Sequence, residues 1–175
     1  MLAGMSRRLG LALLVLLLAA GAAAADKPTP AQAMQTAKAW LDALDGDKAG
    51  AAAPHTASSL FAVAYTDTGP KCKEATATTA AAIGKALACL QDEVKGAGDL
   101  KAWSKAAAKE LAGPLAKLQK KKLAELEGTA TLVHFHEKCV GEGRDLVIAV
   151  ALEKSKDKPV PRVAAVLAAQ FTCGE

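Results

Sequence analysis

From Leu146 to Ala151 the chain is apolar at every position, and this run narrows the possible folds more than any other. Successive side chains of an extended strand point to opposite faces. Leu146, Ile148 and Val150 therefore line one face while Val147, Ala149 and Ala151 line the other, and both need cover. The run reads as a strand inside a sheet, spanning Asp145 to Leu152. Its neighbours stand on either side in sequence: Thr129 to Cys139 and Arg162 to Thr172 are also rich in Val, Leu and other strand formers. Val140-Gly141-Glu142-Gly143 makes a hairpin turn between the first two, and the polar stretch Lys154 to Pro161 a longer loop between the last two. The chain is expected to close as a three-stranded antiparallel meander.

The preceding part is mainly helical. Thr29 can cap a first helix with Pro30 at its opening position. Met34, Ala37, Trp40, Leu41 and Leu44 recur at helical spacing before Gly46 stops the run. A short helix is expected from Asp47 to Ala53, ended by Pro54. Leu60 to Tyr65 reads as an early strand before the turn residues Asp67-Thr68-Gly69-Pro70. Helix is expected again from Ala75 to Val94, with Ile83, Leu87 and Leu90 on one face. After Gly96-Ala97-Gly98, Asp99 can cap a further helix carrying Leu100, Trp103, Ala107 and Leu111. Gly113-Pro114 interrupts it, and Leu115 to Leu126 can continue as another. Lys120-Lys121-Lys122 lies beside Glu125 and Glu127, the pattern of a solvated helix face. The fold class expected is α+β, with N-terminal helices packed on a curved, mainly antiparallel sheet.

Residues 1–25 have the zones of a secretory leader: a basic pair at Arg7-Arg8, an uncharged apolar core from Leu9 to Ala20, and small residues up to Ala25. The apolar run is shorter than the ~20 residues a membrane span requires. Cleavage after Ala25 would leave residues 26–175 as one domain in the periplasm or outside a bacterial cell, with no membrane attachment. That part is long enough for a single core. Without Arg7 and Arg8 it holds 20 basic residues against 18 acidic ones. So slight an excess, with six aromatic side chains in all, argues against a nucleic-acid surface.

Cys72, Cys89, Cys139 and Cys173 are an even set in a chain bound for an oxidising space, which implies two disulfides. No pair has the C-x₂₋₄-C spacing of a structural zinc site. In an up-down-up meander the ends of the first and third strands reach the same edge. Cys139 and Cys173 occupy those ends and can bridge where the strands fray, although strands separated by a middle one lie almost 10 Å apart. Cys72 with Cys89 would then fasten the loop after the early strand to the helix behind it.

His134 and His136 are the most suggestive side chains. Two residues apart on a strand, they share a face, opposite Val133 and Phe135. Two adjacent imidazoles can ligate zinc or copper, or shuttle protons, but a metal needs a further ligand, and only His55, a carboxylate such as Glu137 on the wrong face, or a free thiol could serve. The competing reading is a polar outer-strand face. No G-x-S-x-G nucleophile motif or Gly-rich phosphate loop occurs, and no cofactor is expected.

The helix Ala33 to Leu44 followed by Gly46-Asp47, the early strand Leu60 to Tyr65, and the three C-terminal runs together resemble the nuclear-transport-factor-2-like superfamily, including its ketosteroid-isomerase and SnoaL-like groups. The resemblance rests on pattern across most of residues 29–173. It implies a curved sheet wrapped round a long N-terminal helix in a cystatin-like cone. Isomerase members use a buried carboxylate base with a tyrosine. Tyr65 is the only tyrosine present, and no acidic partner is marked for it. The favoured expectation is a non-catalytic exported domain that takes a small apolar ligand or a protein partner in a pocket lined by Trp40, Leu44, Tyr65, Phe135 and Phe171, with a homodimer through the sheet as an option. A periplasmic isomerase or dehydratase, and a metal carrier built on His134 and His136, are the alternatives.

Overall fold

The computed structural model describes residues 27–46, 49–95, 97, 101–103, 122–140 and 142–172. The leader at 1–25 and the helices expected over 104–121 lie outside the described residues. Helix α1 (Pro30–Asp45) starts on a complete capping box. The Gln32 amide donates to Thr29 Oγ1 at 3.3 Å and the Thr29 amide donates to Gln32 Oε1 at 2.9 Å, so two amides at the helix start are satisfied. Its buried stripe is Ala33, Ala37, Trp40, Leu41 and Leu44. The short helix expected next is a 3-10 helix (Ala49–His55). It runs through Pro54, whose ring suits a short irregular turn and not an α-helical interior.

Strand β1 (Thr56–Thr66) is longer than the expected early strand. It turns at Asp67-Thr68, where Gly69 takes a φ of +123° that side chains rarely adopt, and returns as β2 (Gly69–Ala77). This second arm was not anticipated: residues 75–77 are strand, not helix. Helix α2 (Ala80–Val94) begins only after Thr79, whose hydroxyl accepts from the Ala82 amide at 3.2 Å. A further correction concerns β3 (Lys101–Trp103), which pairs with the chain's fourth strand where a helix capped by Asp99 was expected. Pairing with His134 to His136 overrides local helix propensity there. Helix α3 (Ala124–Thr129) then leads into β4 (Ala130–Val140), β5 (Glu142–Lys154) and β6 (Pro159–Thr172). These three form the expected antiparallel meander.

The open sheet has the order β2-β1-β6-β5-β4-β3. Every pairing is antiparallel except β1 with β6, which run parallel. β6 admits Pro159 and Pro161 because β1 begins opposite Val163, so that end of β6 has a ladder on one side only. One sheet face carries Leu60, Val133, Phe135, Leu146, Ile148 and Val166 and packs on α1 and α2. The other carries Phe61, Val63, Val147, Ala149, Ala165 and Leu167, with Leu123 and Leu126 against it. Leu146 to Val150 are all buried, as their two-faced pattern requires. The class is α+β, with the N-terminal helices α1 and α2 packed on one face of a mixed sheet.

Two ties hold α2 in place. Gln91 Nε2 donates to the carbonyl oxygens of Leu44 and Gly46 at 3.0 and 2.6 Å, joining α2 to the end of α1. Cys72 of β2 and Cys89 of α2 form a disulfide with a Cα–Cα distance of 5.9 Å, the pairing expected for these two. The Cys139 side chain and Cys173 lie outside the described residues. Replacing both Cys72 and Cys89 by Ser should lower the unfolding free energy by about 3 kcal/mol, the chain-entropy value for a loop of this length. Urea denaturation of the double variant measures it directly.

Candidate functional site

The structure separates the five residues expected to line one pocket. Trp40, Leu44 and Phe135 are fully buried in the core between helices and sheet, where they fill space. Tyr65 and Phe171 are partly buried on the opposite face.

His134 and His136 do share a face, and it is the buried one that also carries Val147, not an outer polar one. Sheet register brings Asp145 to them: His136 pairs with Asp145, and His134 with Val147. Asp145 Oδ1 lies 3.0 Å from His134 Nε2 and 2.8 Å from His136 Nδ1. Asp145 is 1% and His134 2% exposed, so the cluster sits inside the protein, with His136 alone reaching solvent. One carboxylate oxygen thus engages a ring nitrogen of each histidine, Nε2 of His134 and Nδ1 of His136. Tyr65, Ala169, Asp145 and His136 fall in one cross-strand row over β1, β6, β5 and β4. Sequence reading missed Asp145.

Among the described residues no group of three His, Cys, Asp or Glu is arranged to hold a metal ion.

A cleft of about 520 Å³ opens elsewhere, where the 3-10 helix, the first residues of β1 and the first turns of α2 meet. Its apolar wall is Ala53, Pro54, Ala57, Ile83 and Leu87, and Glu153 and Arg162 complete the rim. Gly84 faces it on α2, and a Cβ added there would meet nothing within 4 Å. Ala151 pairs with Arg162 and Glu153 with Val160, which makes Glu153 and Arg162 diagonal neighbours on one side of β5 and β6. Glu153 Oε1 accepts from the Ser58 amide at 2.9 Å, and Arg162 Nη1 donates to the Pro54 carbonyl. Hydrogen bonds from Ser58, aided by the charge of Arg162, hold the Glu153 carboxyl below its ordinary value of 4.5. A smaller, polar cleft of about 340 Å³ lies by the β1–β2 turn and includes Lys71, Glu142, Gln170 and Phe171. Neither cleft reaches Asp145 or the two histidines.

Glu137 and Asp67 are shifted the same way, Glu137 by its hydrogen bond from Arg144 and Asp67 by its hydrogen bonds with Thr172. A carboxyl lowered in the folded state adds stability above its unfolded pKa and loses it as pH falls through the folded one. Midpoints of thermal unfolding should therefore hold from pH 7 to 5 as far as these groups are concerned, then drop below about pH 4.5. The Glu137→Gln and Glu153→Gln variants should show a shallower acid limb.

No protein family, curated protein or solved structure matches the chain. No helix among the described residues is long and apolar enough to cross a membrane.

Proposed function

We propose that the chain is an exported, non-catalytic binding domain whose ligand occupies the cleft between the 3-10 helix, β1 and α2. The observation that carries the reading is the composition of that cleft. An apolar wall offers transfer free energy of ~25 cal/mol per Å² covered. Its two charged side chains are held by backbone groups, Glu153 by Ser58 and Arg162 by Pro54. Such groups are positioned to orient a polar or charged part of a ligand. A volume of about 520 Å³ lies in the range of small-ligand sites. An isomerase would need its buried acid within reach of substrate, and Asp145 lies away from both clefts with two imidazoles on one oxygen.

Export is part of the proposal, supported by the leader-like residues 1–25 and by the Cys72–Cys89 bridge. Membership of the nuclear-transport-factor-2-like superfamily is proposed with it; α1 lying across a sheet that ends in a meander supports that reading.

The test is native mass spectrometry of protein recovered from the periplasm, comparing wild type with Gly84→Phe. A helical Gly costs about 1 kcal/mol relative to Ala, and Phe costs less, so the variant should fold at least as stably. The proposal expects a small molecule retained by wild type and absent from the variant. Equal retention by both, or a chain that keeps residues 1–25 in the cell envelope, overturns it.

A further inference from the structure

The charges at the rim say what kind of molecule the cleft would take. Glu153 and Arg162 both line it, on one side of adjacent strands, yet they form no ion pair with each other within 4 Å; their hydrogen-bond partners are Ser58 and Pro54. The guanidinium has five N–H donors in a planar fork and uses one on Pro54. The carboxylate is ionised at neutral pH, held so by Ser58. An anionic ligand would meet Arg162 favourably but Glu153 unfavourably, and a cationic ligand would meet the reverse. A ligand with both charges a few bonds apart satisfies both, ammonium to Glu153 and carboxylate to Arg162. The adjoining wall of Ala53, Pro54, Ala57 and Ile83 suits an aliphatic tail; of the two hydroxyls in the lining, that of Thr56 is engaged by Trp40 and Ala52 and that of Ser58 stands beside Glu153.

We infer that the cleft binds a free α-amino acid with an aliphatic side chain, its zwitterionic head bridging Glu153 and Arg162 and its tail covering Ala53, Pro54 and Ile83. This rests on the binding-domain reading above and names the ligand class for the same cleft. Glycine lacks the tail, 4-methylpentanoate lacks the ammonium and isopentylamine lacks the carboxylate, so each tests one part of the claim.

The experiment is an amide chemical-shift titration of the full mature chain with L-leucine, glycine, 4-methylpentanoate and isopentylamine, repeated on Glu153→Gln and Gly84→Phe. The Gln amide oxygen can still accept from Ser58, so the first variant removes charge while keeping the local hydrogen bond. Shifts at Ser58, Ile83 and Leu87 are expected with leucine, at least tenfold tighter than with any of the other three. Glu153→Gln should bring leucine to the level of 4-methylpentanoate, and Gly84→Phe should abolish both. If 4-methylpentanoate or isopentylamine binds wild type as tightly as leucine and Gly84→Phe blocks it, the zwitterion assignment falls while the binding cleft stands. If none of the four probes shifts these residues, the zwitterion assignment falls. The cleft itself then falls only if protein from the periplasm also carries nothing that Gly84→Phe displaces.

Discussion

Asp145→Ala should cost about 2–4 kcal/mol of unfolding free energy, because it leaves two imidazole nitrogens without their partner at about 1–3 kcal/mol for a buried one. The carboxylate is 1% exposed and its Oδ1 lies within hydrogen-bond distance of two imidazoles. Removing it leaves His134, itself 2% exposed, with a polar nitrogen facing a void in a place that water reaches poorly. Asp145→Asn should cost less, about 1–2 kcal/mol, because an amide oxygen has two lone pairs and can accept from both rings while losing the charge. A His134→Ala, Asp145→Ala double-mutant cycle should report a coupling between about 0.5 and 3 kcal/mol. Urea denaturation followed by far-UV circular dichroism gives all of these. A loss below 1 kcal/mol for Asp145→Ala would mean that the cluster holds nothing together.

The cluster also shows where sequence reading stops. That His134 and His136 share a face follows from strand alternation alone. Finding Asp145 opposite them requires the register of β4 on β5, and that register is interrupted. At the turn Val140 pairs with Glu142, and counting back evenly from there would set His136 against Leu146. A shift between Glu137 and Val140 moves it to Asp145. One residue of bulge exchanges the faces that meet across two strands, and no residue at 137–140 announces it.

Elsewhere, legibility tracked how much of an element's reason for existing is local. Helix α1 carries its own cap, its own stripe and its own stop, and β5 is apolar on both faces, so both were readable. The Cys72–Cys89 bridge was reached as the pair left over once Cys139 and Cys173 were set at one edge of the meander. Strand β2 was not readable because it is an edge: in Gly69–Ala77 only Cys72 and Ala77 are buried, so the run has no apolar alternation to see. The parallel pairing of β1 with β6 joins residues roughly a hundred positions apart and left no local trace. Trp40, Leu44 and Phe135 were correctly read as apolar and inward-facing. Whether such side chains line a hole or fill one depends on how the layers close over them, and here they fill it. The cleft is made instead by small residues and by Glu153 and Arg162, whose place on the rim depends on the β5–β6 register.

Trp40→Ala should be as damaging as any single change in the helical layer, at about 3–5 kcal/mol. Trp40 is fully buried at the centre of the α1 stripe, against a sheet face lined by other large apolar side chains. Its truncation removes apolar contact and leaves a cavity that the surrounding strands, tied to both neighbours, cannot collapse into. A polar chain accompanies the packing. The indole Nε1–H donates to Thr56 Oγ1 at 3.0 Å, and the Thr56 hydroxyl donates to the Ala52 carbonyl at 2.9 Å. α1 is thereby linked through the first residue of β1 to the 3-10 helix. The two contributions separate by substitution. Trp40→Phe keeps most of the ring and removes the donor, which should cost about 1–2 kcal/mol beyond the change in volume. Thr56→Val keeps the ring but leaves the buried indole N–H without its acceptor, for about 1–3 kcal/mol. Because both variants break the same bond, Trp40→Phe combined with Thr56→Val should cost clearly less than the sum of the two alone. Domains of this size are stable by only about 5–15 kcal/mol in total. Trp40→Ala is therefore expected to shift the urea midpoint by a large fraction of its value, and a shift no larger than that of Trp40→Phe would show that the packing around α1 is not what holds it to the sheet.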